Sequence, residues 1–203
     1  MGINQTLKNR ALDSLEGKWG RSMVASLIVF GIIYALYGTL YFTAGEYAAN
    51  SSLLVLLPLE WGACVFFLRL VRNQSLGFAH LFDGYSMKNL MRVMFTEWLR
   101  WLYIALWSLL LVVPGIMKAC AYAMTDYVLA DRPDLSYNAA INESMRLMKG
   151  HKMDYFLLQL SFLGWYILVF LTLGIGALWL APYVNAATAH FYESLKAQDV
   201  PAE

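Results

Sequence analysis

The chain has 203 residues, of which 60% are hydrophobic and 14% charged, against about 45–50% and about 25% in soluble domains. Fifteen Lys and Arg against fourteen Asp and Glu leave a net charge of +1. That balance excludes a general polyanion-binding domain, so no nucleic-acid partner is expected, and the hydrophobicity excludes disorder.

The apolar runs are too long for a soluble core. Ser22 to Gly45 is 24 residues without a formal charge, about 36 Å of helix at ~1.5 Å per residue, against a bilayer core of ~30 Å. This run exceeds the apolar core of a signal peptide and reads as an uncleaved first span. Tyr155 to Ala189 is 35 uncharged residues, broken at Gly174-Ile175-Gly176. Tyr47–Leu68 is interrupted only by Glu60, and Trp101–Met117 carries no charge. The expectation is an all-α polytopic bundle forming one integral membrane domain over residues 1–203. Its six spans fall at about 22–44, 51–70, 95–113, 115–131, 154–172 and 175–192.

Thirteen of the fifteen cations fall in the segments 1–21, 69–94, 131–153 and the tail after 192, and none in the connections near 45–50, 113–115 and 173–175. By the positive-inside rule both termini are cytoplasmic and the outer connections are tight turns. The expected location is a cell membrane, with the cation-rich segments on its cytoplasmic side.

Three times the chain repeats one plan: an amphipathic stretch, a glycine beside aromatic or basic residues, then two apolar runs. The first stretch places Ile3, Leu7, Ala11, Leu12 and Leu15 at helical spacing before Gly17; the second places Leu76, Phe78, Leu81 and Phe82 before Gly84. The third places Tyr137, Ile141, Met145 and Met148 before Gly150, with Ser136 as its N-cap. The expectation is three helical hairpins, each with an amphipathic foot (about 3–17, 76–92 and 136–150) whose glycine ends the helix in a left-handed cap. An apolar stripe of this kind can lie in the headgroup layer.

The sequence resembles the bacterial integral-membrane family catalogued as domain of unknown function 975. The resemblance rests on Leu15-Glu16-Gly17-Lys18-Trp19-Gly20, Leu81-Phe82-Asp83-Gly84-Tyr85, Pro114-Gly115-Ile116 and Leu129-Ala130-Asp131. It continues through Ser144, Leu147-Met148-Lys149-Gly150-His151-Lys152, Leu160-Ser161-Phe162-Leu163-Gly164-Trp165, Leu173-Gly174-Ile175-Gly176, Trp179, Pro182-Tyr183 and Phe191-Tyr192-Glu193. It is most specific over 114–193 and implies a multi-span helical membrane protein, with no family activity to carry over. The layout is also similar to the membrane part of some glycerophosphodiester phosphodiesterases, whose soluble catalytic domain these residues do not include.

Charges within spans are costly and often functional. Glu60, two residues after Pro58, is the first candidate for an intramembrane polar site, with Asn185, Gln159 and Lys118 as further members; the alternative for Lys118 is to snorkel its ammonium to water. Glu97 and Arg100 form an i,i+3 pair, and Asp126 with Arg100 reads as an interhelical tie. Arg146, Lys149, His151 and Lys152 are candidate contacts for anionic headgroups. Cys64 and Cys120 fall in spans as small packing residues, and His80, His151 and His190 do not converge, so no metal or cofactor is expected. No nucleophile elbow or phosphate loop is present, which argues against an enzyme. Two functions remain. One is a non-enzymatic membrane scaffold or accessory protein engaging lipid, a membrane partner or a second copy of itself; the other is a small transporter or channel built on Glu60.

Overall fold

A computed structural model describes residues 3–135 and 137–199, and every regular element among them is helical. The order is α1 (Ile3–Leu15), α2 (Trp19–Ala44), α3 (Glu46–Val71), a 3-10 segment (Phe78–Tyr85), α4 (Leu90–Leu110), α5 (Val112–Tyr122), α6 (Thr125–Asp131), α7 (Asn138–Leu147), α8 (Lys152–Leu160), α9 (Leu163–Leu171) and α10 (Ala177–Asp199). Three stretches are long and apolar enough to cross a membrane: Trp19–Ala44, Glu46–Val71 and Lys152–Leu171.

Helices α2 and α3 turn about Gly45, at φ 86°, and α3 continues through Pro58 without a break. Helix α4 runs antiparallel to α5 and α6: Trp107 stands beside Lys118, Tyr103 beside Tyr122, and Arg100 beside Asp126. Helices α8 and α9 likewise run antiparallel to α10. Tyr155 packs on Phe191, Gln159 bonds Thr188, and Phe162 packs on Tyr183.

The 115–131 segment divides between α5 and α6, and Ser144 of α7 accounts for the break. Its buried hydroxyl accepts the Met124 N–H at 3.2 Å and donates to the Ala121 carbonyl at 2.9 Å, satisfying backbone groups that the interruption leaves open. The break at Ser161–Phe162 is served from a distance. Lys8 of α1 donates to the Ser161 carbonyl at 3.0 Å while its ammonium lies over the Phe162 ring.

The apolar stripes of the amphipathic stretches are covered by the protein itself. Helix α1 buries Leu7, Ala11 and Leu15 within the protein core. Lys8 lies near Phe162 and Ser14 bonds His190 at 2.7 Å, so α1 runs alongside α10 in the same direction. Helix α7 buries Ala140, Ile141, Ser144 and Leu147 in the same manner. Ser136 lies outside the described residues; Tyr137 holds the N-cap position, its N–H donated to Thr96 Oγ1 at 2.8 Å.

The second stretch is a 3-10 segment laid antiparallel along α3. Phe78 stacks on Phe66, and the Tyr85 hydroxyl donates to the Val55 carbonyl at 3.0 Å. Gly17 and Gly150 take the positive φ of a left-handed cap, but Gly84 does not. Gly84 is required by proximity: a Cβ there would fall inside the Pro58 carbonyl, and one at Gly62 inside the backbone of Leu81. Gly62→Ala is therefore expected to cost about 3 kcal/mol through overpacking against a backbone that has no rotamer to yield. The check is thermal unfolding in detergent beside Gly31→Ala, whose Cβ meets nothing within 4 Å. Equal midpoints for the two variants would refute the close approach.

Candidate functional site

Two polar groupings occupy this scaffold. The first lies between α3, α4 and α6. Arg100 donates to Asp126 Oδ2 at 2.8 Å and to Glu97 Oε2, so one guanidinium serves two carboxylates. Trp61 Nε1 donates to the Asp126 carbonyl at 3.1 Å and adds α3 to the tie. Glu97 is fully enclosed, whereas Glu60 stands exposed on α3 within electrostatic reach of Asp126 and Arg100.

The structure does not gather the expected intramembrane set of Glu60, Asn185, Gln159 and Lys118. Asn185 Nδ2 donates to the Ala181 carbonyl one turn earlier and faces a cavity of about 60 Å³ shared with Ala25, Ser26 and Phe67. Gln159 bonds Thr188. Lys118 does not simply reach for water: its ammonium sits 4.7 Å from the centre of the Trp107 ring. Each of the three is satisfied locally, by a backbone carbonyl, a hydroxyl or a π face.

The second grouping was not assembled from the sequence. It gathers the C-terminal ends of α3, α6 and α10. Arg72, just past α3, forms a bidentate pair with Asp131 at 2.6 and 2.7 Å and also donates to Glu193 at 2.6 and 2.9 Å. Asp131 further accepts from Lys196 at 2.6 Å and from the Tyr192 hydroxyl at 3.1 Å. Arg92, at the start of α4, donates to the carbonyls of Leu129, Arg132 and Leu135, fixing the chain that leaves α6.

Beside this network opens a cavity of about 380 Å³ lined by Val128, Asp131, Tyr192 and Lys196 together with Glu143, Arg146 and Asp199. Arg146 pairs with Glu143 at 2.8 and 2.9 Å and with both oxygens of Asp199 at 2.6 Å. Arg132 reaches the same Glu143 carboxylate at 3.5 Å. Hydrogen bonds from Arg146 hold the Glu143 and Asp199 carboxyls below their ordinary range. The stabilisation they contribute is complete above the ordinary carboxylate range and is lost as pH falls through the depressed values.

Of the expected headgroup contacts, Arg146 pairs with Glu143 and Asp199, and His151 Nδ1 lies 3.3 Å from Asp154. Lys149 is exposed and Lys152 opens α8 half-exposed. The sequence did carry a hint of the larger network: Asp131 and Tyr192-Glu193 stood in family motifs with no local partner.

Cys64 and Cys120 are free thiols, and among the described residues no group of three His, Cys, Asp or Glu side chains could hold a metal ion. The architecture defines an all-helical protein with three helices apolar and long enough to span a membrane. Residues 109–199 match the model of the family described as Protein of unknown function (DUF975), the family that the sequence motifs resemble. The match begins at the end of α4 and takes in every residue lining the 380 Å³ cavity. No curated protein and no solved structure matches the chain.

Proposed function

We propose that the protein crosses the bacterial cytoplasmic membrane six times, as three hairpins with the C-terminus cytoplasmic, and serves as a non-enzymatic scaffold or accessory protein that engages lipid or a membrane partner. The alternation of helix direction supports the topology, as does the gathering of Arg72, Arg92, Arg132 and Lys196 at one end of the bundle. Arg72, Arg92 and Arg132 stand in segments rich in Lys and Arg, the side the positive-inside rule assigns to the cytoplasm.

The observation that carries the functional reading is the apolar exterior. No residue of α9 is buried, and Trp165, Ile167, Phe170 and Leu171 stand exposed, as do Leu27, Tyr34 and Phe42 of α2. In water such a surface is an aggregation liability; against lipid tails or another membrane helix it is a contact face. Native mass spectrometry of the protein released from mild detergent tests the reading, wild type beside a Lys149→Gln/Lys152→Gln variant. Retained lipid or protein in the wild type, reduced in the variant, is the expected result; a bare chain in both would overturn it. A second reading, transport, is favoured by the exposure of Glu60 beside the Arg100 triad. Flux through proteoliposomes that disappears in Glu60→Gln would decide for it.

A further inference from the structure

We propose that Arg132 and Arg146 form an oxyanion site for a phosphate-bearing ligand, in which the Asp199 carboxylate is the resident occupant. Both guanidinium groups reach the single carboxylate of Glu143, Arg146 at 2.8 Å and Arg132 at 3.5 Å, which sets them side by side on the cavity lining. The remaining edge of Arg146 presents NH1 and NH2 to the two oxygens of Asp199, each at 2.6 Å. That fork binds a phosphate as readily as a carboxylate, which identifies the ligand by its charge and its pair of oxygens.

The occupant is exchangeable, and part of the cavity lining is fixed. Arg146 and Asp199 are 50% and 43% exposed in their side chains, and Arg132 is 52% exposed. Pairs this open are held weakly. Arg146 holds the Asp199 carboxylate in place through its two hydrogen bonds. Asp131, which also lines the cavity, is fixed: it is 12% exposed and bound to Arg72 and Lys196. When Asp199 swings out, two arginines face one glutamate and the cavity of about 380 Å³ carries a surplus positive charge, with Val128 and Leu147 to receive the apolar part of an ester.

The phosphate can come from solution or from a membrane phosphomonoester. The lipid source rests on the proposed membrane role, whereas the soluble source does not. The full chain is reconstituted in phosphatidylcholine nanodiscs and titrated calorimetrically with inorganic phosphate; in parallel, nanodiscs containing phosphatidic acid are read by native mass spectrometry for retained lipid. Wild type, Asp199→Asn and Arg146→Gln are compared, with Arg132→Gln as a second probe and helix content by circular dichroism as the check on folding. Asp199→Asn is expected to bind about threefold to fivefold more tightly than wild type, the worth of a displaced exposed ion pair. Arg146→Gln and Arg132→Gln are each expected to lose about tenfold or more while remaining folded. A response in the phosphate arm alone supports the site and counts against the lipid role; a response in the lipid arm identifies the headgroup. Asp199→Asn binding no better than wild type in both arms, or binding that survives in Arg146→Gln, would overturn the site.

Discussion

Replacing Arg100 by Gln is expected to lower stability by about 3–5 kcal/mol, among the largest effects available in this chain. The guanidinium is the shared partner of Glu97 and Asp126, and Glu97 is 2% exposed. Losing it leaves two carboxylates facing one another inside the bundle with Glu60 nearby. The size of the loss reflects the penalty of an orphaned charge more than the strength of the original pair. A triple variant in which Glu97, Arg100 and Asp126 all become Leu is accordingly expected to recover most of the stability. Thermal unfolding in detergent measures both, and an Arg100→Gln variant that melts with the wild type would refute the tie.

Asp131→Asn comes next, at about 3 kcal/mol. Asp131 accepts from Arg72, Lys196 and Tyr192, so one carboxylate joins α6 to the end of α3 and to two successive turns of α10. Its neutral replacement keeps the shape but gives up the charge that draws two cations together. Glu193→Gln leaves the bidentate Arg72–Asp131 pair intact and is expected to cost about 1 kcal/mol or less. Hydrogen exchange over residues 186–199 separates the two: Asp131→Asn should accelerate it and Glu193→Gln should scarcely change it. Similar exchange in both variants would show that Asp131 is not the centre of the network.

The elements the sequence made legible are those whose cause is local. Uncharged runs located α2, α3 and the paired helices α8 and α9. The spacing of Glu97 and Arg100 made their pairing a matter of one helical turn. What stayed hidden has a distant cause. Arg72 meets Asp131 across 59 positions and Glu193 across 121, separations at which no periodicity speaks. The segment 78–85 carries an amphipathic pattern, but its seat directly on α3 depends on two glycines, Gly62 and Gly84, that let the two backbones approach. Asn185, Gln159 and Lys118 looked like partners because polar residues in apolar helices attract attention. Asn185 is satisfied one turn back on its own helix, Lys118 by a ring on the preceding helix, and Gln159 across the bundle by Thr188.

The lengthwise seat of α1 against α10 bears on how the protein is made. Helix α1 leaves the ribosome well before α10 yet has its main contact surface on it, with Ser14 and His190 separated by 176 positions. At about 5–20 residues per second, synthesis needs roughly 10–35 s to supply that surface. Through that interval Leu7, Ala11 and Leu15 have no α10 to cover them. Nascent chains stalled before residue 177 should therefore leave α1 open to a protease that the finished protein resists, so the order of assembly runs backwards from the order of birth.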